Sequence, residues 1–113
     1  MSFKEYIHEN ANFLDQKNTY YHFILKPFVG KRIGKWTFEY ERMSGTFSFD
    51  KGDNSIYATP YYEGSNGVPV DFQDEDGDYK SLGLVKLPEI TGDSKKDVGN
   101  YFKLITPYLM KMK

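Results

Sequence analysis

Residues 36–57 read WTFEYERMSGTFSFDKGDNSIY, and their alternation decides the fold. Trp36, Phe38 and Tyr40 fall on one parity, with Thr37, Glu39 and Glu41 on the other. A chain with that period of two is a half-buried strand with one acidic face. Phe47 and Phe49 repeat the pattern within Gly45–Asp50, Lys51-Gly52-Asp53-Asn54 is hairpin-loop material, and Ser55–Tyr62 reads as the next strand. Pro60 cannot donate to a ladder, so that strand is expected at an edge or at a bulge.

Working outward, Val68, Val70 and Phe72 mark a fifth strand with Asp71 and Gln73 facing away. Asp74-Glu75-Asp76-Gly77-Asp78 is a turn, and a last strand covers Tyr79–Leu87 before Pro88. On the N-terminal side, Tyr21, Phe23 and Leu25 alternate with Tyr20, His22 and Ile24, which reads as a strand buried on both faces.

A helix is expected at each end. Ser2-x-x-Glu5 matches a capping box, and Phe3, Tyr6, Ile7, Asn10, Phe13 and Leu14 follow at helical spacing until about Gln16, closed by Asn18 and Thr19. At the other end Ser94-x-x-Asp97 is a second capping signature. Val98, Tyr101, Phe102, Ile105, Leu109 and Met112 form an apolar stripe behind it. Pro107 predicts a kink or break near Ile105. Together these elements predict an α+β fold: an antiparallel β-meander of about five or six strands, with an N-terminal and a C-terminal helix packed against the Trp36/Phe38/Tyr40 face.

The length, 113 residues, suits a single domain spanning the whole chain. With no cysteine, disulfides and thiolate chemistry are excluded, and a reducing compartment fits. The first residues carry no apolar run of the secretory kind, and no stretch approaches the length of a membrane span. A cytoplasmic protein with no membrane association is expected. Ten Tyr, nine Phe and one Trp suit a sheet that buries rings and keeps phenol hydroxyls near water.

Charge is polarised. From Glu39 to Asp78 there are ten acidic residues against Arg42 and Lys51 alone, a balance of −8 within a chain of net −1. Such a block speaks to partners rather than to fold. A calcium loop does not account for it: with Gly77 at the sixth position, Phe72 would be first and Gly83 twelfth, where oxygen ligands are needed. No metal and no cofactor is expected.

Gly30-Lys31-Arg32-Ile33-Gly34-Lys35-Trp36 fails as a phosphate loop, with three residues between its glycines and Trp36 where a hydroxyl belongs. No Gly-x-Ser-x-Gly elbow occurs, and His8 and His22 lie on different predicted elements, so catalysis has little to work with.

The leading expectation is a non-enzymatic binding protein whose acidic, tyrosine-rich sheet engages a basic protein partner. Its contact residues would be Glu39, Glu41, Tyr57, Tyr61, Tyr62, Glu63, Asp71, Asp74, Asp76 and Asp78, with tyrosines as anchors and carboxylates for steering. Immunity-type and phage-encoded inhibitors use such surfaces to block nucleic-acid-binding enzymes, placing carboxylates where phosphates would lie. No motif ties this chain to one such family. A second expectation is a single-stranded nucleic-acid-binding module using Lys26, Lys31, Arg32, Lys35 and Trp36. A third is a small ligand-binding or enzymatic domain with an aromatic pocket.

Overall fold

The computed structural model describes residues 13–60 and 68–112. Helix α1 (Phe13–Leu25) leads through a 3-10 turn (Lys26–Phe28) into six strands: β1 (Arg32–Ile33), β2 (Trp36–Glu41), β3 (Thr46–Lys51), β4 (Asn54–Tyr57), β5 (Val68–Gln73) and β6 (Tyr79–Val85). Helix α2 (Ser94–Lys111) follows. The strands pair antiparallel in chain order, β1 to β6, in one sheet. This is the α+β meander that the alternation predicts, with a helix on either side of the sheet in the chain.

Register turns alternation into two chemically distinct faces. Phe38 sits opposite Phe49, Phe49 opposite Ile56, and Ile56 opposite Phe72, so one apolar row crosses four strands. Helix α2 lays Phe102 edge-on against Phe38, with ring centroids 5.1 Å apart, while Phe38 stacks on Phe47 at 5.2 Å. Helix α1 reaches the same face through His22, whose ring lies 5.0 Å from that of Phe47. Each fully buried ring of this kind contributes about 2–3 kcal/mol through removal from water.

Three ring substituents inside this core are paired, whereas Asn18 Nδ2 is buried with no partner among the described residues. The Trp36 indole N–H donates to the Leu109 carbonyl at 3.2 Å, and the Tyr101 hydroxyl donates to the Ala58 carbonyl at 2.5 Å. Tyr21 does the same to Pro88 at 2.9 Å, holding the β6–α2 connection against α1.

Tyr20–Leu25 is helical, not a strand. Asn18, Tyr21, His22 and Leu25 are buried at spacings of three, one and three, with Tyr20 and Ile24 buried beside them, whereas Phe23 is 60% exposed. A strand would have put Phe23 beside Tyr21 and Leu25. The run is apolar on both parities, so either period fits it, and nothing between Phe13 and Leu25 interrupts a helix. The expected end near Gln16 to Thr19 is therefore passed, and the helix stops just ahead of Pro27. The capping box at Ser2 lies outside the described residues.

A short strand replaces the one lost. The failed phosphate loop is a β-hairpin: Ile33 pairs with Trp36 and Arg32 with Thr37 across Gly34, whose φ of +60° favours glycine there. Strand β4 ends at Tyr57, so Pro60 lies past its ladder instead of at an edge or bulge within it. Strand β5 accommodates Pro69 for a related reason. Its pairing with β4 begins at Asp71, so the missing amide costs no hydrogen bond on that side.

Helix α2 begins one residue earlier than Ser94-x-x-Asp97 implies. Asp93 is the cap, accepting the amides of Lys95 and Lys96 at 3.1 and 3.3 Å. Of the kink or break expected near Ile105, the break does not occur: the helix continues past Pro107 to Lys111. Because Pro107 is exposed, its ring meets solvent rather than the core. Among the described residues no helix is long and apolar enough to cross a membrane.

Candidate functional site

The sheet face opposite the helices carries the polar parity. Two rows cross it. Glu39, Ser48, Tyr57, Asp71 and Ser81 stand opposite one another in turn from β2 to β6, and so do Thr37, Asp50, Ser55, Gln73 and Tyr79. The face is concave, enclosing a groove of about 730 Å³ lined by Glu39, Glu41, Asp50, Asp71, Tyr57 and Tyr79, with serine and threonine hydroxyls between them. No lysine or arginine lines it among the described residues. The β5–β6 pairing carries a bulge between Val70 and Asp71, a feature that increases local twist.

Each side chain has a definite environment. The Tyr57 and Tyr79 rings stack at 6.0 Å with a 20° interplanar angle, and the Tyr57 hydroxyl donates to Gln73 Oε1 at 2.9 Å. Burial, followed by the Tyr79 phenol beside it, holds the Tyr57 phenol above its ordinary value, so it stays a neutral donor. The Glu41 carboxylate accepts the Met43 amide at 3.0 Å and the Ser44 amide at 3.4 Å, which shapes the β2–β3 turn at the groove's rim. Asp50 Oδ1 is buried and has no hydrogen-bond partner among the described residues. Glu39 and Asp71 make no ion pair there; the single one is Lys17–Glu89, at 3.3 Å.

Four of the sequence-derived contact residues, Glu39, Glu41, Tyr57 and Asp71, thus converge on one groove. Asp74, Asp76 and Asp78 do not line it. They form the β5–β6 turn, where Asp74 Oδ1 accepts the amides of Asp76 and Asp78 at 2.9 and 3.0 Å. Tyr61, Tyr62 and Glu63 lie outside the described residues. Asp50 and Tyr79 belong to the groove and were not among the expected contacts. The signal for Asp50 was present, since Phe47 and Phe49 pointing inward send Ser48 and Asp50 outward.

The groove's carboxylates are spread over several strands. Among the described residues no three His, Asp or Glu side chains are placed to hold one metal ion. The arrangement is an array for several cationic or hydrogen-donating groups at once, with a flat aromatic pair at one end.

The basic segment occupies the β1 end of the molecule. Lys26, Lys31, Arg32 and Lys35 are exposed. Lys26 lies 5.3 Å over the Tyr40 ring and Lys31 5.8 Å over that of Phe102. Trp36 is only 4% exposed, is held by Leu109 and is covered by the Lys51 ammonium at 4.8 Å, so its face is taken. Helical His22 places Nε2 3.2 Å from the Gly45 carbonyl, and burial keeps its pKa below the ordinary value.

Comparison with known proteins adds no relative: no family model, no curated protein and no solved structure matches the chain.

Proposed function

We propose that this protein is a non-enzymatic binding protein whose sheet face opposite α1 and α2 receives a basic surface of another protein. The mode of action inferred is occupancy: the carboxylates fill a site that the partner would otherwise use for nucleic acid, as an inhibitor or immunity-type protein does. One observation carries this reading. Glu39, Glu41, Asp50 and Asp71 share a concave face with Tyr57 and Tyr79, and among the described residues no cation lines it. Glu39, Asp50 and Asp71, in no ion pair among the described residues, keep their field for an incoming lysine or arginine, which raises encounter rate and selects against acidic surfaces. The stacked tyrosines offer a rigid anchor that loses little entropy on contact. The basic segment supports nucleic-acid binding less well, because Trp36, its stacking residue, is inside the core.

The test is salt-dependent capture. Immobilised protein should retain a basic nucleic-acid-binding protein from lysate, nucleic acid should compete for it, and Glu39→Gln with Asp71→Asn should abolish retention. Equal capture by the double variant would overturn the reading. So would direct binding of labelled single-stranded DNA that is lost on changing Lys31, Arg32 and Lys35 to Glu.

A further inference from the structure

A second, smaller cleft opens on the helix side of the sheet, at the end where α2 terminates. It encloses about 350 Å³ between Ile33, Trp36, Leu109 and Met110, with Lys35 and Lys51 at its polar margin. Small-molecule sites run from about 300 to 1,000 Å³, are mainly apolar, and carry a few placed polar groups. This cleft has that makeup, and no acidic residue lines it among the described residues.

Its parts are fixed before any ligand arrives. The Trp36 ring cannot rotate freely, because its N–H is bonded to the Leu109 carbonyl at 3.2 Å. Lys51 stands 4.8 Å above that ring and gives a hydrogen bond to the Met112 carbonyl at 3.1 Å. An ammonium has three donors, so Lys51 keeps capacity for an anion. Lys35 is exposed and in no ion pair among the described residues. Met110, 56% exposed, supplies a flexible thioether wall that adapts to the shape of a guest.

We propose that this cleft binds a small apolar anion, an aromatic or short-chain carboxylate. Its body lies against Ile33, Leu109 and Met110, touching Trp36 only where the small exposed part of that ring meets the cleft, and its carboxylate meets Lys35 and Lys51. An apolar floor alone would take any greasy molecule; two ammonium groups at the margin, with no carboxylate lining it among the described residues, favour the anionic one. The cleft and the acidic groove lie on opposite faces of the sheet, so the two readings stand or fall separately.

Trp36 is the chain's one tryptophan, so its fluorescence reports the cleft alone. Titration with 4-phenylbutyrate should change Trp36 emission saturably. The amine of the same body, 4-phenylbutylamine, should bind about tenfold more weakly, the worth of one favourable charge contact exchanged for a repulsive one. The variant Lys35→Glu alters an exposed side chain, so it should keep the parent's thermal midpoint while losing phenylbutyrate affinity by a similar factor. Absence of a saturable change, equal affinity for acid and amine, or unchanged affinity in Lys35→Glu would each overturn the proposal.

Discussion

The Tyr20 hydroxyl donates to Asp97 Oδ2 at 2.5 Å, joining residues 77 apart in sequence and fastening α1 to the first turn of α2. Asp97 is fully buried, and its carboxylate also accepts the Thr91 hydroxyl at 2.8 Å and the Thr91 amide at 3.1 Å. A buried carboxylate is tolerable when its lone pairs are filled this way. It also sits at a helix N-terminus, where the dipole favours negative charge.

Removing either partner has unequal consequences. Asp97→Ala strands the Tyr20 hydroxyl and the Thr91 amide and hydroxyl, and should cost about 3–4 kcal/mol. Tyr20→Phe removes one of several donors and should cost about 1–2 kcal/mol. Urea denaturation of the two variants and the double variant checks this. The double variant should lose less than the sum, since the two groups act as a pair.

Titration of buried groups limits stability at both ends of the pH scale. Burial, the largest cause in each case, raises the phenols of Tyr20, Tyr21 and Tyr101 well above their ordinary 10.0, and at Tyr20 the Asp97 contact adds to it. Below pH 10 both folded and unfolded chains keep these protons. Above it the unfolded chain releases protons that the folded chain retains, so stability falls as pH rises. His22 acts in the opposite direction: burial lowers it below 6.5, against the Gly45 carbonyl and with the help of Lys26. Below that pH the unfolded chain takes up a proton first, and stability falls with acid. Denaturation midpoints from about pH 5 to about pH 11 should therefore form a dome. Tyr101→Phe should flatten the alkaline limb, and an unchanged alkaline limb in that variant would count against this account.

Most of the architecture was legible because Trp36–Glu41 and Thr46–Lys51 keep a strict period of two, and parity alone sends Glu39, Glu41 and Asp71 outward. The N-terminal helix was misread for a local reason: Tyr20–Leu25 is apolar on both parities, and only the exposure of Phe23 separates the two readings. Strand β1 escaped because two residues carry no period. Convergence is a different kind of property. Whether Asp50 and Tyr79 meet the same groove as Glu39 depends on the register of five strands, and register is set by turns and packing rather than by any one segment. The Asp74–Asp78 turn shows the converse, since its charge was plain and yet its first carboxylate serves its own backbone.

Pro107 offers a stabilising substitution. It occupies the interior of α2 and leaves the Lys103 carbonyl without its helical amide, while the Thr106 hydroxyl donates back to the Phe102 carbonyl at 2.6 Å. Pro107→Ala restores the amide at an exposed position. The restored bond and relief of the ring clash outweigh the greater freedom of the unfolded chain, giving a gain of about 1 kcal/mol. Thermal unfolding should shift upward by a few degrees; a downward shift would show that the proline geometry is needed to seat Leu109 on Trp36.

Asp50 separates stability from binding. Its Oδ1 is buried without a partner among the described residues, its ladder neighbours Thr37 and Ser55 are neutral, and Glu39 lies diagonally across the same face. A partly desolvated carboxylate beside another negative charge, without a donor, costs folding energy. Asp50→Asn keeps the shape and removes the charge, so it should raise stability by about 1 kcal/mol. If the groove receives a basic partner, that partner supplies the missing donor, and the same substitution weakens capture while the fold gains. Midpoint and capture should therefore move in opposite directions in this one variant. A drop in midpoint with capture unchanged would place Asp50 in the framework of the sheet and move the contact surface away from this groove.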